Sequence, residues 1–92
     1  MAKFKLSKPI DIDGKRLEEL EYDLDEVTGA DIENACKSID KIGYVILAQE
    51  TDPVLHAHIF AAAAGIAYED MKRMNAKDFT RATAMVRDFF IE

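Results

Sequence analysis

Apolar residues alternate with polar ones at the start of the chain and recur at helical spacing from residue 28 onward. Phe4, Leu6, Ile10 and Ile12 have the period of two that a half-buried strand requires. Asp13-Gly14 follows, the strongest short signal for a two-residue hairpin turn. Leu20, Tyr22 and Leu24 share one face of a returning strand, so residues 3–24 predict a β-hairpin. A two-residue turn sets residue 10 opposite residue 17, which brings Leu17 onto the face of Ile10 and Ile12. Leu20 then has the wrong parity. One extra residue near Glu18-Glu19 restores it, and a β-bulge is expected there.

Residues 28–42 predict a helix. Thr28 is its N-cap, and Asp31 takes the capping-box position in place of the usual Glu. Its apolar stripe is Ile32, Ala35, Cys36, Ile39, Ile42 and Gly43. The segment "GYVILAQETD" is rich in β-branched residues and reads as a loop with strand character. Asp52-Pro53 opens a second helix over 53–64, and Gly65 ends it in the left-handed conformation. Leu55, Ile59, Ala62 and Ile66 line its stripe, which Phe60, Ala63 and Ala67 widen. A short helix over 68–74 precedes a last one over 76–90, capped by Asn75 with Asp78 three residues on. Phe79, Ala82, Val86 and Phe90 form its main stripe, flanked by Met85 and Phe89. The resulting fold class is α+β: an N-terminal hairpin followed by a small bundle of three or four helices. The 53–64 and 76–90 helices should pack together, with Phe60, Ala63, Val86 and Phe90 in the core.

Ninety-two residues predict a single domain spanning 1–92. So short a chain is marginally stable alone, which together with unpaired hairpin edges predicts self-association into a homo-oligomer. The net charge of −6, with no Lys/Arg cluster, argues against nucleic acid and anionic membrane surfaces as partners. Cys36 is the sole cysteine, which excludes an intrachain disulfide and fits a reducing compartment. The start "MAKFKLSKPIDIDG" has no apolar segment of a signal peptide, and the apolar run 59–67 is too short to span a bilayer.

Few residues suggest chemistry. His56 and His58 lie two apart and point roughly opposite ways on a helix, whereas a helical zinc pair needs a spacing of three or four. They read as partly exposed helix histidines, His56 half buried beside Phe60. Cys36 has no signature of a nucleophile and reads as a core cysteine. Glu69-Asp70 and Asp23-Asp25-Glu26 fall at a helix start and a turn, where carboxylates cap and solubilise. The four glycines are isolated, so no phosphate loop exists. Met71 and Met74 read as packing, with the adaptability that suits partner surfaces. No catalytic residue, cofactor-binding residue or metal ligand is predicted, and the chain reads as a non-enzyme.

The order of these features carries more than any one of them. "KPIDIDGKRLEELEYDL" holds a Lys-Pro-Ile hairpin with Gly14 and the return strand Leu20-x-Tyr22-x-Leu24. Thr28-Gly29-x-Asp31 opens a helix. An Ala-rich helix ends at Gly65 before Tyr68-Glu69-Asp70, and Ala76-Lys77-Asp78-Phe79 opens the helix that closes at Phe89-Phe90. Outside residues 43–52, the chain resembles the small tail assembly chaperones of long-tailed bacteriophages and their prophages. The resemblance implies a non-enzymatic protein of the bacterial host cytoplasm, not expected in the mature virion. Its implied partners are the tape measure protein, kept soluble until the tail tube polymerises around it, and the tail tube protein. A longer, frameshifted form often accompanies the short one in that family, and this chain looks like the short form. The alternatives are an acidic protein–protein interaction adaptor unrelated to tails and a small enzyme or ligand binder using His56 and Cys36.

Overall fold

The computed structural model describes residues 2–91. Two antiparallel strands, β1 (Ala2–Ile12) and β2 (Lys15–Tyr22), form the hairpin, and a single 3-10 turn follows at Leu24–Glu26. Four helices complete the α+β fold: α1 (Gly29–Lys41), α2 (Pro53–Ala64), α3 (Tyr68–Met71) and α4 (Ala76–Ile91).

Local chemistry sets most of the element ends. Asp13 and Gly14 both have positive φ, 52° and 80°, the backbone that a tight hairpin turn demands. Thr28 Oγ1 accepts from the Asp31 N–H at 3.2 Å while the Asp31 carboxylate accepts from the Thr28 N–H at 2.9 Å, a complete capping box. Asp52 Oδ1 accepts from the N–H groups of Val54 and Leu55, and Gly65 (φ 68°) closes α2. The segment 43–52 forms no strand; it is an irregular loop between α1 and α2.

The hairpin irregularity lies on the opposite strand from the one expected. Ile10 pairs with Leu17, as the two-residue turn requires. On the far side Lys5 pairs with Glu19, so the four residues Leu6–Pro9 of β1 face Glu18 alone. Across the bulge Phe4 and Leu20 sit opposite each other in the core, while Leu17, opposite Ile10, is only partly buried. The bulge falls on β1 because its backbone has another partner. The Asp78 carboxylate, at the start of α4, accepts from the N–H of Ser7 (3.1 and 2.9 Å) and of Lys8 (3.4 Å), and Pro9 has no N–H to give.

Helix α2 is the centre of the molecule. It packs on α4, α1, α3 and β2, and Leu55, His56, Ala57, Ile59, Phe60 and Ala61 are buried along it. The Phe60 ring, fully buried, meets Phe4 edge-on and Tyr22 at a tilt, both at 5.3 Å between centroids. Val86 and Ala82 of α4 and Ile39 of α1 close the core around it, with Met71 and Met74 beneath.

Of the expected core residues Ala63 and Phe90 differ, and so do Ala62 and Ile42 of the apolar stripes. Ala63 is only half buried. Ala62 is exposed because the small side chains of α2 leave a hollow open toward Ala35 and Ser38 of α1. Ile42, the C-cap of α1, is 68% exposed, since the chain turns away at Gly43 (φ 78°) just beyond it. Phe90 is 44% exposed: α4 reaches one turn past its buried Val86, where Ile32 and the 43–52 loop do not close over the ring.

Candidate partner-binding surface

Large apolar side chains in water are the molecule's most conspicuous surface feature. Besides Ile42, the loop after α1 exposes Val45 (71%) and Leu47 (93%), and the last turns of α4 expose Phe89 and Phe90. Exposed apolar groups gathered in one region mark interaction sites, whereas scattered ones do not.

The loop is tied down at two points rather than free along its length. Tyr44 Oη donates to the Asp52 carboxylate at 3.1 Å, so one side chain both caps α2 and holds the loop's entry. Near its exit the His56 ring donates from Nε2 to the Gln49 carbonyl at 3.1 Å. Between these ties Val45 and Leu47 project without cover. The two aromatic rings of Phe89 and Phe90 pack edge to face, 5.0 Å apart, which orients the pair.

Loop and helix end meet at a groove of about 180 Å³ lined by Ile32, Leu55, His56, Ile59 and Phe90, with Gln49 and Glu50 on its rim. A second hollow, lined by Cys36, Ile39, Tyr44, Val45 and Ile46, shares Gln49 with the first. On another side of α1, a shallow hollow of about 460 Å³ runs between α1, α2 and α3, with Ile42, Ala62, Ile66 and Tyr68 on its walls. Hollows with apolar walls thus flank α1, and one of them reaches Phe90 at the end of α4.

The residues singled out for chemistry are dispersed. His56 is buried rather than half buried, and its ring is spent on the Gln49 carbonyl. His58 donates from Nδ1 to the Val54 carbonyl at 2.9 Å and stacks on Tyr68 at 3.8 Å. Cys36 is partly buried and lines a different hollow from His56. Asp70 pairs with Arg73 at 3.4 Å, and Asp23 caps the 3-10 turn through the Asp25 N–H. Among the described residues, His56, His58 and Cys36 line different hollows, and Glu69, which shares a hollow with His58, is paired with Lys72 at 3.7 Å.

Burial pushes the His56 pKa below its ordinary 6.5, although the Gln49 carbonyl and Asp52 pull the other way. A group whose folded pKa is depressed adds stability above its unfolded value, and that stability is lost as the pH falls. Acidifying from neutral to about pH 5 should therefore destabilise the fold, because the unfolded chain takes up a proton that the buried His56 ring resists. Thermal melts across that range should show a pH-dependent loss that is absent from His56→Phe, and equal slopes for both proteins would refute it.

Residues 3–91 match the family described as "Phage tail assembly chaperone proteins, E, or 41 or 14". The chain belongs to this family of phage tail assembly chaperones. No curated protein and no solved structure matches it. The match includes residues 43–52, the stretch without visible resemblance in sequence, so the exposed loop belongs to the chaperone's matched region. His56 and Cys36, the residues that suggest chemistry in the sequence, only line its hollows, whereas its exposed part is carried by Ile42, Val45, Leu47 and Phe90. Two signals in the sequence pointed to it: a β-branched run with no polar alternation, and an aromatic pair at the end of the last helix.

Proposed function

We propose that this chaperone binds the tape measure protein during tail assembly and keeps it soluble, without chemical turnover. The observation that carries the reading is the set of large apolar side chains left in water after α1 and at the end of α4 (Ile42, Val45, Leu47, Phe89 and Phe90), in a chain of net charge −6. A long helical partner with exposed apolar stripes needs such a cover, laid into a hydrophobic groove. The acidic remainder of the surface keeps the complex in solution. The chain acts as one domain in the host cytoplasm, with no catalytic, cofactor or metal site. Contact with the tail tube protein follows from the same role, as assembly removes the cover.

Co-expression with a tape measure protein from the same phage or prophage tests the reading. The chaperone should raise the soluble fraction of that protein severalfold. A Val45→Ser, Leu47→Ser, Phe90→Ser variant should lose most of that gain. It should still fold, because these side chains are largely or partly in water already and their removal costs about 1 kcal/mol or less each. A tape measure protein that precipitates equally with and without the chaperone would overturn the function. Full rescue by the triple variant would overturn the surface.

A further inference from the structure

Residues 15–19 of β2 read Lys-Arg-Leu-Glu-Glu, two bases and two acids placed symmetrically about Leu17. The two edges of the hairpin differ sharply. The outer edge of β1 is closed by the helices that follow: Arg81 donates to the Lys5 carbonyl, Asp78 accepts from Ser7 and Lys8, and Arg73 donates to the Asp11 carbonyl at 2.8 Å. Among the described residues, no hydrogen bond from outside the hairpin reaches β2 between Lys15 and Glu21. Its charged side chains are exposed, and no proline or covering element protects that edge. An unpaired edge of this length is a template for another strand, and charges on it decide which strand is accepted.

A second copy of β2 satisfies those charges in one orientation. Antiparallel pairing centred on Leu17 sets Lys15 opposite Glu19 and Arg16 opposite Glu18, each twice, with the two Leu17 side chains at the centre. Parallel pairing in register sets every charge against its like. We propose that two copies of this chain associate antiparallel through β2, forming a four-stranded sheet. The existing hairpin register extends the match. The row Lys5–Glu19 would continue with the second copy's Lys15, and the row Asp11–Arg16 with its Glu18, so that signs alternate across three strands. Ile10 and Leu17 would continue with the second copy's Leu17 and Ile10 as one apolar row. Exposed ion pairs are individually weak, so backbone hydrogen bonds supply the affinity and the charges supply the orientation. The interface uses neither the 43–52 loop nor Phe90, and it stands or falls separately from tape measure binding.

Sedimentation velocity over a concentration series tests it with charge-swapped variants. The native chain should double its mass as concentration rises, and added salt should weaken the association. A Lys15→Glu, Arg16→Glu variant and a Glu18→Lys, Glu19→Lys variant should each self-associate at least about tenfold more weakly, since all four pairs become repulsive. Mixed in equal amounts, the two variants should re-form a dimer. A native chain that stays monomeric, an association strengthened by salt, a swapped variant that dimerises like the native chain, or a mixture of folded variants that fails to pair would each overturn the proposal.

Discussion

Asp78→Ala is expected to cost the fold about 3 kcal/mol, a large share of the stability of so small a chain. The Asp78 carboxylate is fully buried and accepts three backbone hydrogen bonds from Ser7 and Lys8, with Arg81 at 3.6 Å. Hydrogen bonds to a charged group contribute more than neutral ones, and removing the acceptor leaves the bulge of β1 without a partner. Arg81 is partly exposed, so its ion pair adds the smallest share. Asp78→Asn keeps one acceptor oxygen but turns an amide toward the Ser7 and Lys8 donors, and should cost about 1–2 kcal/mol. The charge adds a pH signature. Burial pushes the Asp78 carboxyl up, but the Ser7 and Lys8 hydrogen bonds and Arg81 outweigh it, so its pKa lies below the ordinary 3.8. Its contribution is complete above that ordinary value and is lost as the pH falls through the lower folded one. Urea unfolding of both variants at neutral pH, repeated at acid pH, measures these effects. An alanine variant within about 0.5 kcal/mol of the native chain would show that Asp78 does not hold the hairpin to α4.

Phe60→Ala should be at least as damaging, at about 3–5 kcal/mol. Its ring is fully buried and touches Phe4 of β1 and Tyr22 of β2 from the middle of α2. Truncation removes the transfer free energy of the ring and leaves a cavity between two layers. The backbone there is fixed by strand pairing on one side and by α4 on the other, so collapse around the cavity is limited. Phe60→Leu, which keeps most of the volume, should lose less than about 2 kcal/mol. Denaturant midpoints at unchanged slope measure both. A loss under about 1 kcal/mol for the alanine variant would mean the layers repack freely and that Phe60 does not join them.

The outcome at Phe90 shows where periodicity stops being informative. Ala82, Val86 and Phe90 lie on one stripe of α4, and the first two are buried as the spacing requires. Periodicity identifies the face a helix turns inward; it says nothing about how far the neighbouring elements extend. Ile42 leaves the core for the same reason at the end of α1. Both positions were legible as apolar, and their role on the surface became visible only once the neighbours were placed. His56 went the other way: a polar residue expected at the margin is buried because a loop carbonyl seven residues earlier accepts from its ring.

Interactions spanning a few residues were readable from the chain itself. The hairpin turn at Asp13-Gly14, the capping box of Thr28 and Asp31, the Asp52-Pro53 helix start and the left-handed stop at Gly65 each rest on the backbone preferences and hydrogen bonds of adjacent residues, and all are present. Leu17 and Leu20 were enough to require a break in hairpin register. The strand that carries the break was decided by Asp78, 71 residues from Ser7, whose carboxylate draws two N–H groups of β1 out of the sheet. A carboxylate near a helix start reads as a cap in sequence. Burial against a second backbone, which only the folded chain supplies, makes it a tie between hairpin and helix.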